Sequence, residues 1–321
     1  MATALASQIS AEPPGRGVSE ALARERASTI RSLRYELTFV VPAASDQPVL
    51  GRVTLRFVLD APHRVVIDFA EPGERVRSVR SSGAELPVTF GDGHLTIPAQ
   101  ATRAGENEIA IEFVAGDDSF NRDQDFLYTL FVPARAHHAF PCFDQPDLKA
   151  RYSLSLDVPV GWQTVANGAV AATESDALRT RVRFEETQPI STYLFAFVAG
   201  KFSVETAQRD GRELRMFHRE TDAPLVSRNR DAIFDLHASA LAWLEAYTDI
   251  PYPFGKFDFV AVPSFQFGGM EHPGAILYNA QSLFLEESAT QNQMLGRASL
   301  IAHETAHMWF GDLVTMRWFD D

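Results

Sequence analysis

Apolar and polar residues alternate along much of the first two thirds of the chain. In the run RVTLRFVL, every second residue from Val53 to Leu59 is apolar, and Arg52, Thr54 and Arg56 occupy the alternate positions. A period of two places the two sets on opposite faces of a β-strand, one face buried and one exposed. The run therefore predicts a strand of a sheet with a single buried face.

The same alternation recurs in short runs, and turn residues such as PGE, SSG, GDG and ANG separate them. The further runs are RVVIDFA (64–70), HLTIPA (94–99), NEIAIEFV (107–114), ARYSLSLDVP (150–159) and TRVRFE (180–185). This spacing predicts an antiparallel β-saddle or sandwich domain over residues 29–205. Residues 1–28 are rich in Ala, Ser, Pro and Gly and then charged, so we expect a flexible lead-in with room for a short helix over residues 18–27.

The period of the apolar residues lengthens in the last third of the chain. Within residues 227–256, apolar residues recur at three- and four-residue steps, which is typical of an amphipathic helix. The positions predicted to face the core are Ile233, Leu236, Ala240, Trp243, Leu244 and Tyr247. A strand is expected in FDFVAVPSF, and a second helix from about residue 289 to about residue 310, with Ser288 as its N-cap. The pattern therefore predicts a second domain of mixed α and β structure over residues 206–321.

Composition and charge narrow the classes of function. Acidic residues number 42 against 29 basic ones, for a net charge of −13. Such a charge argues against nucleic acid and anionic membrane surfaces as partners. The single cysteine, Cys142, excludes an intrachain disulfide, and no apolar run approaches the length of a membrane-spanning helix. The start lacks the features of a secretion signal, so we expect a cytoplasmic protein, or a periplasmic or secreted one if a signal peptide is missing from this sequence.

The segment IAHETAHMWF holds the pattern H-E-x-x-H at His303, Glu304 and His307. On a helix, histidines four residues apart share a face and can bind one metal ion. Glu304 lies beside that face, where a carboxylate can take a proton from a metal-activated water. The alternative without chemistry is a pair of surface histidines that flank a glutamate. The helical context favours the metal site.

Three segments together resemble the gluzincin zinc aminopeptidases of the M1 family, in particular those of the aminopeptidase N type. They are HETAHMWFGDLVTMRWFDD, FGGMEHPGA and AFPCFDQPDLKARYSLSLDVP. The resemblance implies an N-terminal β-saddle domain followed by the start of a thermolysin-like catalytic domain. It also implies one Zn²⁺ per complete protein with His303 and His307 as ligands, Glu304 as the general base, and peptides with a free N-terminus as substrates.

The resemblance assigns substrate binding to one glycine-rich loop. The expected substrate-binding residues are Gly268, Gly269, Met270, Glu271 and His272. In the family motif G-x-M-E-N the glutamate binds the α-amine of the substrate, and two glycines let the backbone approach the peptide closely.

The loop departs from that motif, because His272 stands where the family has asparagine. The Gly-Gly start and the proline after His272 resemble the leukotriene A4 hydrolase and aminopeptidase B branch, whereas Gly274 resembles the ordinary aminopeptidases. In the β domain, the segment YTLFVP places Leu130 and Val132 where polar residues often line the first substrate pocket.

The family's third zinc ligand is a glutamate eighteen intervening residues after the second histidine. Counted from His307, that position is 326, which lies beyond residue 321. Of the carboxylates after His307, which are Asp312, Asp320 and Asp321, none has this spacing. We therefore expect the N-terminal portion of such a peptidase, truncated inside its catalytic domain and inactive alone. The alternatives are a non-catalytic interaction protein or inactive fragment of the same fold, and a bifunctional peptidase and epoxide hydrolase of the leukotriene A4 hydrolase type.

Overall fold

The structure is a computed structural model that describes residues 14–319. The first 13 residues of the predicted lead-in, together with Asp320 and Asp321, lie outside the described residues. Within the described range, none of the helices has the length and apolar character needed to span a bilayer. The predicted order of a β domain followed by an α+β part is confirmed.

From residue 14 to residue 200, the structure contains three sheets and two helices. The helices are α1 (Glu20–Thr29) and α2 (Ala136–Ala139). The strands are β1 (Arg31–Val40), β2 (Leu50–Leu59), β3 (Val65–Asp68), β4 (Val76–Ser81), β5 (Ala84–Glu85), β6 (Thr89–Gly91), β7 (His94–Ile97), β8 (Gly105–Val114), β9 (Phe120–Arg122), β10 (Phe126–Thr129), β11 (Arg151–Pro159), β12 (Gln163–Ala166), β13 (Val170–Ser175), β14 (Arg179–Phe184) and β15 (Phe197–Gly200). Short 3₁₀ turns lie at Gly73–Arg75, Ala99–Ala101 and Thr192–Leu194.

The largest sheet has eight strands in the order β13-β14-β11-β1-β2-β8-β4-β5, with smaller sheets of order β12-β15-β10-β9 and β3-β7-β6. The register places Val53 of β2 opposite Leu37 of β1 and Ile111 of β8, and all three side chains are fully buried. The alternation read from the sequence therefore marks the core face of this sheet. One pairing differs from the antiparallel expectation, because β1 runs parallel to β11. These strands are far apart in the chain, so no hairpin dictates their relative direction.

The second part is built on one sheet of order β16-β17-β18-β20-β19. Its strands are β16 (Ser203–Arg209), β17 (Arg212–His218), β18 (Phe257–Val262), β19 (Gly269–Met270) and β20 (Ile276–Asn279). Its helices are α3 (Ala223–Thr248), α4 (Ala280–Leu283) and α5 (Gln291–Ala306). The predicted boundary between residues 205 and 206 falls inside β16, which pairs with β17 of this second sheet.

Helix α3 shows an error in the predicted core face. Trp243 and Tyr247 were expected in the core, but they are 62% and 68% exposed and stack on each other with ring centroids 4.9 Å apart. The buried face of the helix instead includes His237, which is fully buried and forms a hydrogen bond with the hydroxyl of Tyr278 at 3.1 Å. A polar residue on the buried stripe hides the true phase of the helix from a hydropathy pattern.

Helix α1 lies close to the short helix predicted over residues 18–27, and the structure docks it on the β domain. Its Ser19 N-cap accepts a hydrogen bond from the Leu22 amide, and its Arg26 side chain is 2% exposed. Arg26 Nη1 donates to Asp68 Oδ2 at 2.9 Å, and Nη2 donates to the Val66 carbonyl at 2.9 Å. A buried arginine on a short, weakly amphipathic helix therefore fastens α1 to the β domain.

Asp68 is the centre of the polar cluster that receives Arg26. Its carboxylate also accepts from His94 Nδ1 at 2.8 Å and from the Asp144 amide at 2.9 Å. Burial alone would raise the pKa of Asp68, but the Arg26 guanidinium beside it lowers that pKa to about 2. Asp68 also exchanges backbone hydrogen bonds with Cys142, whose thiol is fully buried, so the cluster lies inside the β-domain core.

Arg26→Met should destabilise the protein by about 3–5 kcal/mol, because it leaves the buried Asp68 carboxylate without its cation. Arg24→Met is the matched control, since Arg24 lies on the same helix in an exposed pair with Glu20. Chemical denaturation measures both changes. Equal midpoints for the two variants would show that the buried pair does not hold α1 in place.

Candidate functional site

Helix α5 carries the H-E-x-x-H pattern at its C-terminal end. Its N-cap is Thr290 rather than the predicted Ser288, and Thr290 forms a capping box with Gln293. The box satisfies amides at the start of the helix, so it determines where the helix begins. The helix ends at Ala306 with His307 as its C-cap, which leaves both histidines at the last turn.

The two histidine rings converge on one point. Nε2 of His303 and Nε2 of His307 lie 3.1 Å apart, with ring centroids separated by 4.7 Å. Two nitrogen ligands at about 2.0–2.1 Å from a tetrahedral ion lie about 3.3 Å apart. The imidazole pair therefore fits a single divalent metal ion in both spacing and donor type.

The segment after the helix folds back on His307. The ring Nδ1 donates to the Phe310 carbonyl at 3.0 Å, and the Asp312 amide donates to the His307 carbonyl at 2.9 Å. Gly311 has φ +141°, and a Cβ there would lie 3.0 Å from His307 Nδ1. The glycine thus permits the close turn that covers one nitrogen of the ring and leaves the other toward His303.

Glu304 packs against the glycine-rich loop. Its side chain is 4% exposed, and a Cβ on Gly269 would lie 2.4 Å from Glu304 Oε1. Burial raises the pKa of Glu304 to about 8, and the nearby Glu271 carboxylate contributes in the same direction. The Glu304 carboxylate therefore packs directly on the backbone of Gly269, where an added side chain would overlap it.

The short strand β19 brings Glu271 to the same place. Gly269 and Met270 pair with Tyr278 and Leu277 of β20, and Glu271 follows directly. Its carboxylate oxygen lies 4.0 Å from His307 Nδ1. Among residues 14–319, one group of three metal-capable side chains converges, and the ligand atoms of Glu271, Glu304 and His307 lie within 4.8 Å of one another. Residues far apart in the chain thus form one acidic and imidazole-rich site.

His272 and Met270, two other residues predicted to bind substrate, are buried. His272 is fully buried, and neither ring nitrogen has a hydrogen-bond partner within the described part of the chain. Burial lowers the pKa of His272 to about 3, so the ring is neutral. Met270 is 4% exposed and packs in the core, and the Gly268 carbonyl accepts from the Asn279 amide at 2.9 Å. Substrate contacts by Gly268, Met270 and His272 stay predictions.

The β domain contacts the segment before this loop through strand β10. The Tyr128 hydroxyl donates to the Ser264 carbonyl at 3.4 Å, and its ring packs edge-on against Phe265 with centroids 5.6 Å apart. In the segment that follows β10, Leu130 is 4% exposed and Val132 is half-buried. The role of Leu130 and Val132 in a substrate pocket stays a prediction.

Two residues near the site, Asn167 and Asp312, are given no role by the sequence. Asn167 lies in the ANG turn and donates to the Leu194 carbonyl at 2.9 Å and to the Pro273 carbonyl at 3.0 Å. Asp312 is fully buried with no hydrogen-bond partner for its carboxylate oxygens among the described residues. Burial and the nearby Glu271 carboxylate raise the pKa of Asp312 well above its usual range. An asparagine in a turn and an aspartate after glycine are also typical of ordinary loops, so neither carries a sequence signal of its own.

Gly269→Ala should displace Glu304 or the loop and destabilise the protein by about 1–3 kcal/mol, because the added methyl overlaps the Glu304 carboxylate. Gly255→Ala is the matched control, since a Cβ there meets nothing within 4 Å. Thermal unfolding compares the two variants. Wild-type stability in Gly269→Ala would show that the loop and the helix can separate without cost.

Comparison with known proteins agrees with this architecture. The model of the peptidase M1 N-terminal domain matches residues 93–194, and that of the peptidase family M1 domain matches residues 233–321. Aminopeptidase N of Streptomyces lividans is 30% identical over 96% of this chain and 37% of its own length. Aminopeptidase M1-C of Oryza sativa subsp. japonica is 33% identical over 91% of this chain and 32% of its own length. The chain thus spans about a third of the length of these relatives. Both family models and these relatives agree, and the chain belongs to the M1 peptidase family.

Proposed function

We propose that the whole protein is a zinc aminopeptidase that removes N-terminal residues from peptides. The observation that carries the proposal is the position of Glu271, whose carboxylate lies 4.0 Å from His307 Nδ1. A metal site alone is compatible with many hydrolases. A second carboxylate beside it, on a loop of small residues, supplies an anchor for a cationic group at the end of a substrate.

His303 and His307 would hold the zinc ion through their Nε2 atoms. When bound, zinc lowers the pKa of water and polarises the scissile carbonyl. The third ligand expected at position 326 stays a prediction. The donor set of neutral imidazoles is one that zinc accepts in catalytic sites.

Glu304 is the proposed general base. Its carboxylate accepts a proton from the attacking water and later donates one to the leaving amine. The contact with Gly269 holds the carboxylate in place, so little side-chain freedom is lost when the substrate binds. Glu304 follows His303 in the chain, but its side chain packs against Gly269, whereas the two imidazoles face each other. This difference in direction is consistent with a base that is not itself a metal ligand.

Glu271 is the proposed anchor for the substrate α-amine. A carboxylate facing an ammonium forms a charge-assisted hydrogen bond, which is stronger where water is excluded. The Glu271 side chain is 14% exposed, so it lies largely out of bulk solvent. An anchor next to the metal site leaves room for one residue before the scissile bond, and cleavage is then restricted to the first peptide bond.

Glu304→Gln in the whole protein should lower kcat for peptide hydrolysis by about 1000-fold, because the base is lost while both histidines remain. Zinc content should be unchanged by metal analysis. Glu287→Gln, at an 89% exposed side chain that precedes α5, is the matched control and should keep wild-type activity. Activity of Glu304→Gln within tenfold of wild type would assign the proton transfer to another group.

Glu271→Ala should lower kcat/KM on an aminoacyl chromogenic substrate by about 10–100-fold, because one hydrogen bond to a charged group is lost. Zinc content again serves as the control for the metal site. In the wild type, the N-acetylated form of the same substrate should be hydrolysed far more slowly than the free amine. Equal rates on the two substrates would contradict the amine anchor and favour cleavage within the peptide.

A further inference from the structure

The segment after α5 is held from its outer side by the β domain. Lys149, which lies two residues before β11, donates from Nζ to the Asp312 carbonyl at 2.7 Å and to the Leu313 carbonyl at 3.0 Å. The hydroxyl of Tyr193 donates to the Gly311 carbonyl at 3.4 Å. Two side chains of the β domain thus bind three successive carbonyls of a loop in the other part of the molecule.

The inner side of the same segment contacts a proposed zinc ligand. The Phe310 carbonyl accepts from His307 Nδ1 at 3.0 Å. A carbonyl oxygen can only accept, so this contact requires the proton on Nδ1 of a neutral ring. Nε2 then carries the lone pair, and Nε2 is the atom that faces His303 at 3.1 Å. The loop therefore selects the tautomer that a metal ion would need.

We propose that Lys149 is a positioning residue for the metal site, acting through the loop on His307. By binding the Asp312 and Leu313 carbonyls, it keeps the Phe310 carbonyl on Nδ1 and so leaves Nε2 of His307 free to bind metal. The inference rests on the proposed function for the identity of the metal. The tautomer itself is a property of the metal-free protein and can be measured without turnover.

The chemistry of Lys149 suits this role. An ammonium has three donors and no acceptor, and its hydrogen bonds to carbonyls are charge-assisted. Lys149 is half-buried, so its contacts are shielded from water. Loss of the ammonium would therefore remove two hydrogen bonds to the loop after α5.

The test reads the tautomer of His307 by NMR in protein labelled with ¹⁵N-histidine. The protonated and unprotonated nitrogens of a neutral imidazole differ clearly in ¹⁵N shift, and loss of the signal in His307→Gln assigns it. In the metal-free wild type, at a pH where the ring is neutral, we expect the Nδ1–H form. A predominant Nε2–H form in the wild type overturns the proposal without any variant of Lys149.

Three lysine variants then separate positioning from general stability. Lys149→Met should convert His307 to a mixture of tautomers and weaken binding of Zn²⁺, measured by competition with a chelator, by about 10-fold or more. Lys149→Arg keeps a cationic donor and should restore the wild-type tautomer. Lys201→Met is the matched control, because Lys201 is an exposed β-domain lysine paired with Asp125, and it should change neither readout.

The outcomes distinguish this inference from the proposed function. A folded Lys149→Met protein with the wild-type tautomer and zinc affinity overturns the positioning role, whatever the activity of the whole protein. If Lys149→Met does not fold, the wild-type tautomer and Lys149→Arg still decide the question, since an Arg variant that folds but loses the Nδ1–H form also contradicts it. Conversely, activity of Glu304→Gln within tenfold of wild type would contradict the proposed role of Glu304 and leave the tautomer result standing.

Discussion

Glu304 lies so close to the backbone of Gly269 that no side chain fits between them. This contact joins the last turns of α5 to the edge strand β19, and much of the site geometry follows from it. Because β19 continues directly into Glu271, the second carboxylate is carried to His307. The constraint also brings two carboxyl groups into a region largely closed to water, where burial and their mutual repulsion raise the pKa of Glu304. A metal cation and a cationic substrate end are the groups that would relieve that repulsion.

Side chains of the β domain bind backbone carbonyls around the site. Asn167, Lys149 and Tyr193 each donate to carbonyls of the second part or of its supporting turn, and Tyr128 does the same at the Ser264 carbonyl. Recognition of carbonyls does not depend on which side chain the loop residue carries. The glycine-rich loop and the segment after α5 can therefore vary in sequence while the same β-domain donors hold their path.

Periodicity in the sequence predicted the strands that line the core and the helix that carries the histidines, because both patterns report a single buried face. It could not identify partners across the chain. The parallel pairing of β1 with β11 and the docking of α1 both depend on such partners. Arg26 and His237 were missed for one shared reason, since each is a polar residue in a buried position and hydropathy places such residues outside. In the site, a local motif predicted roles for Glu304 and the two histidines, and the structure places all three at the C-terminal end of α5. The contact of Lys149 with the loop after α5 has no sequence signal, because it joins a side chain to carbonyls that every residue carries.

The buried thiol of Cys142 has a practical consequence. Burial raises the pKa of this thiol well above its usual range, and the reactive form of a cysteine is the thiolate. Cys142 is also the single cysteine of the chain, so any alkylation of a thiol occurs at one known position. Because Cys142 is fully buried, a reagent reaches the thiol only when the β-domain core around it opens. The rate at which this thiol is labelled therefore reports how often the β-domain core opens, and no cysteine has to be introduced for the measurement.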